Sequence, residues 1–74
     1  MKVKSLGMNQ TEVEINSDLT ILFSYSTPVA CNKNSAFYRT AKKWSATTSK
    51  HINKWLCGAN AKLVPQEFFD NLIV

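Results

Sequence analysis

The 48 positions from residue 19 to residue 66 contain no aspartate or glutamate; the five acids, Glu12, Glu14, Asp18, Glu67 and Asp70, all lie outside them. Paired catalytic carboxylates therefore come down to Glu12 and Glu14, which at i and i+2 on a strand share an outward face and read as solubilising charges. Glycine and proline are scarce, two each, so there is no flexible linker, and glycine at positions 7 and 58 alone cannot make a phosphate-cradling loop. Cysteine and histidine supply three residues, Cys31, His51 and Cys57, too few for a four-ligand structural zinc site. Apolar runs are short, as in Ile21-Leu22-Phe23, against the roughly 20 residues that cross a bilayer, and the N-terminus lacks the apolar core of a signal peptide. The expectation is a protein that stays in the cytoplasm where it is made, without a membrane partner, with both thiols free.

Cysteine-histidine catalysis finds little support. Six residues separate His51 from Cys57, about 600° around a helix, which leaves the two side chains about 120° apart and more than a turn away from each other. Cys31 reads as a small apolar strand residue. No catalytic residue, metal site or cofactor is expected, and the chain is read as a non-enzyme.

What is present is enough to fold. Of the 74 residues 45% are hydrophobic and eight are aromatic, an apolar content that disordered chains lack. Residues 1–74 are read as one small domain, with a thin core because a chain this short buries only roughly 60% of the surface it exposes unfolded. Residues 11–15 alternate polar and apolar, which puts Val13 and Ile15 inward and the glutamates outward. Asn16-Ser17-Asp18 reads as a turn, and Leu19, Ile21, Phe23 and Tyr25 continue the period of two, completing a β-hairpin.

Thr27-Pro28 interrupts the pattern, residues 28–31 resume it, residues 32–35 turn, and residues 36–40 return as a β-prone segment. Residues 2–6 and 43–46 are further short strand candidates. Downstream the period changes. Thr47, Thr48 and Ser49 are N-cap candidates, Ile52, Trp55 and Leu56 fall at i, i+3 and i+4, and Gly58 suits a left-handed cap. A second helix is expected from Pro65, with Glu67 at its start and Phe68, Phe69 and Leu72 as contacts. The predicted fold is α+β, an antiparallel sheet of three to five strands with an N-terminal hairpin and two short C-terminal helices over one face.

Net charge is +4, and seven of the nine cations lie in the acid-free window: Lys33, Arg39, Lys42, Lys43, Lys50, Lys54 and Lys62. Such asymmetry favours an acidic partner, be it nucleic acid, an acidic protein or anionic lipid. Lys50, Asn53 and Lys54 fall opposite the apolar helical stripe, and with Arg39, Lys42 and Lys43 they make a patch of cations and donors. Thr48 and Ser49 add hydroxyls at the helix start, where free N–H groups attract phosphate. These eight residues are the candidate nucleic-acid-binding set, with Arg39 and Asn53 as the only obvious base readers. The competing reading is an ordinary solvated helix face, with Trp44 and Trp55 in the core rather than stacked on bases. The polyanion reading requires that the seven cations converge on one face.

The stretches Tyr38-Arg39-Thr40, Lys43-Trp44-Ser45, Thr47 through Leu56 and Val64-Pro65-Gln66-Glu67-Phe68-Phe69-Asp70, with the earlier Tyr25-Ser26-Thr27-Pro28-Val29-Ala30, resemble a family of small uncharacterised proteins of tailed phages. The likeness covers roughly residues 20 to 72 and implies a viral origin and expression inside a bacterial host; the family has no assigned activity to carry over. The functional expectation is a small non-enzymatic protein whose basic face engages a polyanion, nucleic acid first. The alternatives are a phage protein that binds and diverts a host protein, and a homo-oligomer with a structural role.

Overall fold

The computed structural model describes residues 2–73. Strands β1 (Lys2–Gly7), β2 (Gln10–Asn16), β3 (Leu19–Ser24), β4 (Thr27–Lys33) and β5 (Ala36–Thr40) run as an antiparallel meander, each beside its predecessor. Helix α1 (Ala46–Leu56) then crosses over, and strand β6 (Lys62–Val64) pairs in parallel with β5, Arg39 facing Leu63. Helix α2 (Gln66–Asp70) and a 3-10 turn (Asn71–Ile73) follow. The class is α+β, but the sheet has six strands and is mixed, not three to five and antiparallel. The difference lies in β6, three residues ending at Val64 just before Pro65, too short to show periodicity; a parallel neighbour needs a helical crossover, and α1 supplies it.

The hairpin expected around Asn16-Ser17-Asp18 is β2–β3, closed by an Asx turn in which the Asp18 N–H donates to Asn16 Oδ1 at 2.8 Å. Asn34 and Ser35, at φ 52° and 68°, close β4–β5 with the left-handed residues that suit tight hairpins. At Pro28 the register shifts, so that Leu22 faces Ala30 while Phe23 faces Pro28, and Val29 is the extra residue of a bulge. A bulge accommodates the N–H that proline lacks.

The two helices lie on opposite faces of the sheet, not on one. Successive strand residues point to opposite sides, and both Ile21 and Leu22 are 0% exposed. Leu22, Val29 and Ala30 pack with Ile52 and Leu56 of α1, whereas Ile21, Cys31 and Val64 pack with Phe69 of α2. Such a sheet has apolar residues at consecutive positions, because both sides of the central strands are covered. Ile15 packs on the α2 side, and Val13, in register with Ile21, is half-buried, but the opposite side of β2 is not free solvent either: Glu12 Oε1 accepts from the Trp55 indole at 2.8 Å. Trp55 also meets Phe37 edge to face at 5.8 Å, so this tryptophan belongs to the core.

Helix α1 starts one step before the expected hydroxyl run. Ser45, extended at φ −93° and ψ 167°, is the N-cap, and its Oγ accepts from the Thr48 N–H at 3.2 Å. The strand expected at residues 43–46 does not form: the chain bends at residues 41–42, residues 43–45 are irregular, and Ala46 already belongs to the helix. At the other end Cys57 takes the left-handed conformation, φ 53°, and returns its N–H to Asn53 O at 3.1 Å; Gly58 follows at φ 83°.

Candidate functional site

Between the flank of α1 and the β5–β6 edge of the sheet runs an open groove of about 510 Å³. Arg39 reaches it from β5, Lys42, Lys43 and Trp44 from the connection into α1, and Ser49 from the first turn of the helix. Ala61 and Leu63 supply apolar floor from the β6 side. No carboxylate lines it, which is the local form of the acid-free window.

The connection is held rigidly where it matters. Thr40 Oγ1 accepts from the Lys42 N–H at 3.2 Å and donates to Gln66 Oε1 at 2.9 Å; the Ala41 N–H donates to Val64 O at 2.8 Å. The Trp44 indole N–H donates to the same Gln66 Oε1 at 3.2 Å, while Gln66 Nε2 donates to Pro28 O at 2.7 Å. Gln66 thus ties the basic segment that follows β5 to β4, the next strand in the sheet. Nothing in the sequence signalled that role, since a lone glutamine after a proline carries no pattern. Lys42 Nζ stands 4.3 Å from the centroid of the Trp44 ring, a cation–π contact.

The candidate residues divide. Arg39, Lys42, Lys43 and Ser49 meet at the groove. Asn53 lies alongside, its Oδ1 accepting from Arg39 Nη1 at 3.1 Å, so it orients the guanidinium. Thr48 touches the groove but is buried, with its hydroxyl turned to Ser24 Oγ at 3.0 Å and Ser45 Oγ at 3.3 Å. Lys50 and Lys54 stand exposed on the outer crest of α1. Lys33 and Lys62 are elsewhere: Lys33 Nζ is 5.7 Å from the Phe68 ring on the α2 side, and Lys62 is in register with Tyr38, whose ring also meets Phe68. The convergence of all seven cations that the sequence reading required is therefore not met: five share a side, while Lys33 and Lys62 lie on the other, because alternate strand positions send Tyr38 and Arg39, like Lys62 and Leu63, to opposite faces.

Beneath α1 a second polar cluster is present. Ser24 Oγ lies 2.9 Å from His51 Nδ1 as well as beside Thr48, and all three residues are buried. A hydroxyl in reach of an imidazole is the geometry of an activated nucleophile, but Ser24 is 2% exposed and neither it nor His51 lines the groove. The cluster fastens β3 to α1. His51 and Cys57 do not form a pair.

Both cysteines are free thiols, Cys31 buried and Cys57 exposed. Burial pushes the Cys31 thiol up to about 11, with Lys33 pulling weakly the other way. At pH 8 an aromatic disulfide reagent is expected to titrate one thiol promptly, Cys57, and the second only after denaturation; two fast equivalents would contradict the buried placement of Cys31. Because the folded thiol holds its proton above the pH at which an unfolded one releases it, stability should fall as pH rises from about 9 to about 11.

These features define a small α+β protein with a mixed six-stranded sheet and a cationic groove at one edge. The chain belongs to a family of unknown function, DUF8033, whose match spans residues 1–71. No curated protein and no solved structure matches it. No helix among the described residues is long and apolar enough to cross a membrane.

Proposed function

We propose that this chain is a non-enzymatic, phage-type protein that binds nucleic acid in the cytoplasm of a bacterial host. The carrying observation is the groove: Arg39, Lys42 and Lys43 brought together with no carboxylate on its walls, and Lys50 and Lys54 exposed on the adjoining helix. Folding alone gives no reason to concentrate like charges, which repel. Phosphates neutralise them and release counterions, the dominant sequence-independent term in nucleic-acid affinity. The Arg39–Asn53 bond aims a guanidinium without spending its remaining donors.

Binding to DNA or RNA is expected to weaken with salt, with a log–log slope of roughly −3 to −5 if the five cations act together. Lys43→Gln should lower that slope by about 1, while Lys33→Gln and Lys62→Gln, on the other side of the sheet, should leave it unchanged. Fluorescence anisotropy across a salt series reads all four proteins. Absence of salt-dependent binding at low ionic strength, or capture from host lysate of a stoichiometric protein partner that survives nuclease, would overturn the reading.

A further inference from the structure

Two large apolar groups stand exposed in this groove, whose only charged walls are cationic. Leu63 is 63% exposed on the edge strand and Trp44 is 39% exposed at the mouth, and both line it. Neither position is needed by the core: the clusters on the two faces of the sheet are built without them. The indole is nevertheless held in place, its N–H on Gln66 and Lys42 over one face of its ring. A flat ring kept in a fixed orientation, partly in water, with a cation 4.3 Å from its centroid, is a stacking surface with a phosphate-seeking charge attached.

We infer that the groove takes single-stranded nucleic acid, one base lying on the free face of Trp44 against Leu63 while the flanking phosphates meet Lys42, Lys43 and Arg39. The inference rests on the nucleic-acid reading above. A duplex hides its base faces within its own stack and presents only phosphates and groove edges, so it has no use for an exposed indole and leucine. A single strand offers both chemistries at a spacing of one nucleotide, and concave cationic grooves with aromatic platforms are how it is held without sequence preference. Arg39, anchored by Asn53 beside the groove, contributes a charge to the strand's backbone rather than a reader of base edges.

The test compares a labelled single-stranded oligonucleotide, the matching duplex and inorganic polyphosphate at one low salt concentration, with Trp44→Ala and Trp44→Phe as variants. Circular dichroism and thermal melting first establish that both variants fold; if Trp44→Ala does not, Trp44→Phe and Leu63→Ser carry the comparison. The single strand is expected to bind at least 10-fold more tightly than the other two. Trp44→Ala should weaken that binding roughly 5- to 150-fold with the salt slope unchanged, and Trp44→Phe should keep most of it. Quenching of tryptophan emission by the single strand should vanish in Trp44→Ala, since the remaining Trp55 is packed against Phe37. Equal binding of all three polyanions, insensitive to Trp44, would overturn the single-strand inference and leave the polyanion reading standing. No binding of any of them removes both.

Discussion

Phe69→Ala is expected to leave the protein largely unfolded at 37 °C. Phe69 is 0% exposed in α2, packed with Ile21, Cys31 and Val64 and edge to face with Phe68 at 5.3 Å. Truncating a buried phenylalanine costs about 3–5 kcal/mol, the lost transfer energy plus the cavity left behind. A single core in a chain of this size rarely supplies more than about 3–5 kcal/mol in total. The two quantities are equal within their range, so one side chain on a five-residue helix decides whether the domain persists. Phe68, half-buried on the same helix, provides the comparison: Phe68→Ala should cost clearly less. Urea titration followed by circular dichroism measures both. A Phe69→Ala midpoint equal to that of the unmodified chain would mean that α2 is not docked on the sheet.

Ser24→Ala is expected to cost about 2–4 kcal/mol, more than the removal of one oxygen from a surface residue would suggest. The hydroxyl serves two buried partners at once, His51 Nδ1 at 2.9 Å and Thr48 Oγ1 at 3.0 Å, and its loss leaves both without it. If Ser45 donates to Thr48 Oγ1, the single Thr48 proton goes to Ser24 and the Ser24 proton to Nδ1, a chain with one consistent direction. Such networks are non-additive. Ser24→Ala/Thr48→Ala should therefore be more stable than the sum of the two single losses by about 1 kcal/mol. Additivity of the two changes in a denaturation cycle would show that the hydroxyls do not depend on each other.

Particular residues show how much was legible in advance. The Asn16-Ser17-Asp18 turn and the hairpin around it are as the alternation predicts, because a period of two and an Asx side chain are both local signals. The α1 stripe is also local: Ile52 and Leu56 are buried and Trp55 packs beside them. The consecutive apolar residues Ile21-Leu22 and Val29-Ala30-Cys31 carried a second message, burial on both faces, that a hairpin reading passes over. Of the candidate site, the types and the missing acids were visible. Which cations meet was not, since Lys62 and Leu63 are neighbours in the chain and face opposite sides of the sheet. Gln66 was out of reach for the same reason: its hydrogen bonds to Thr40, Trp44 and Pro28 span 22 to 38 residues.

The sequence by itself determined the elements whose causes lie within a few residues: the turns, the strand alternation, the helix with its hydroxyl-rich start, and an unbalanced charge of +4 drawn from a window without a carboxylate. Only the tertiary structure decided where that charge acts. The α1 crossover sets β6 beside β5, and this parallel pairing creates the edge against which Arg39, Lys42, Lys43 and Trp44 form a groove with Leu63. Contacts that join residues 40 and 64 are set by packing and by the hand-over of one strand to the next, not by any periodicity short enough to read along the chain.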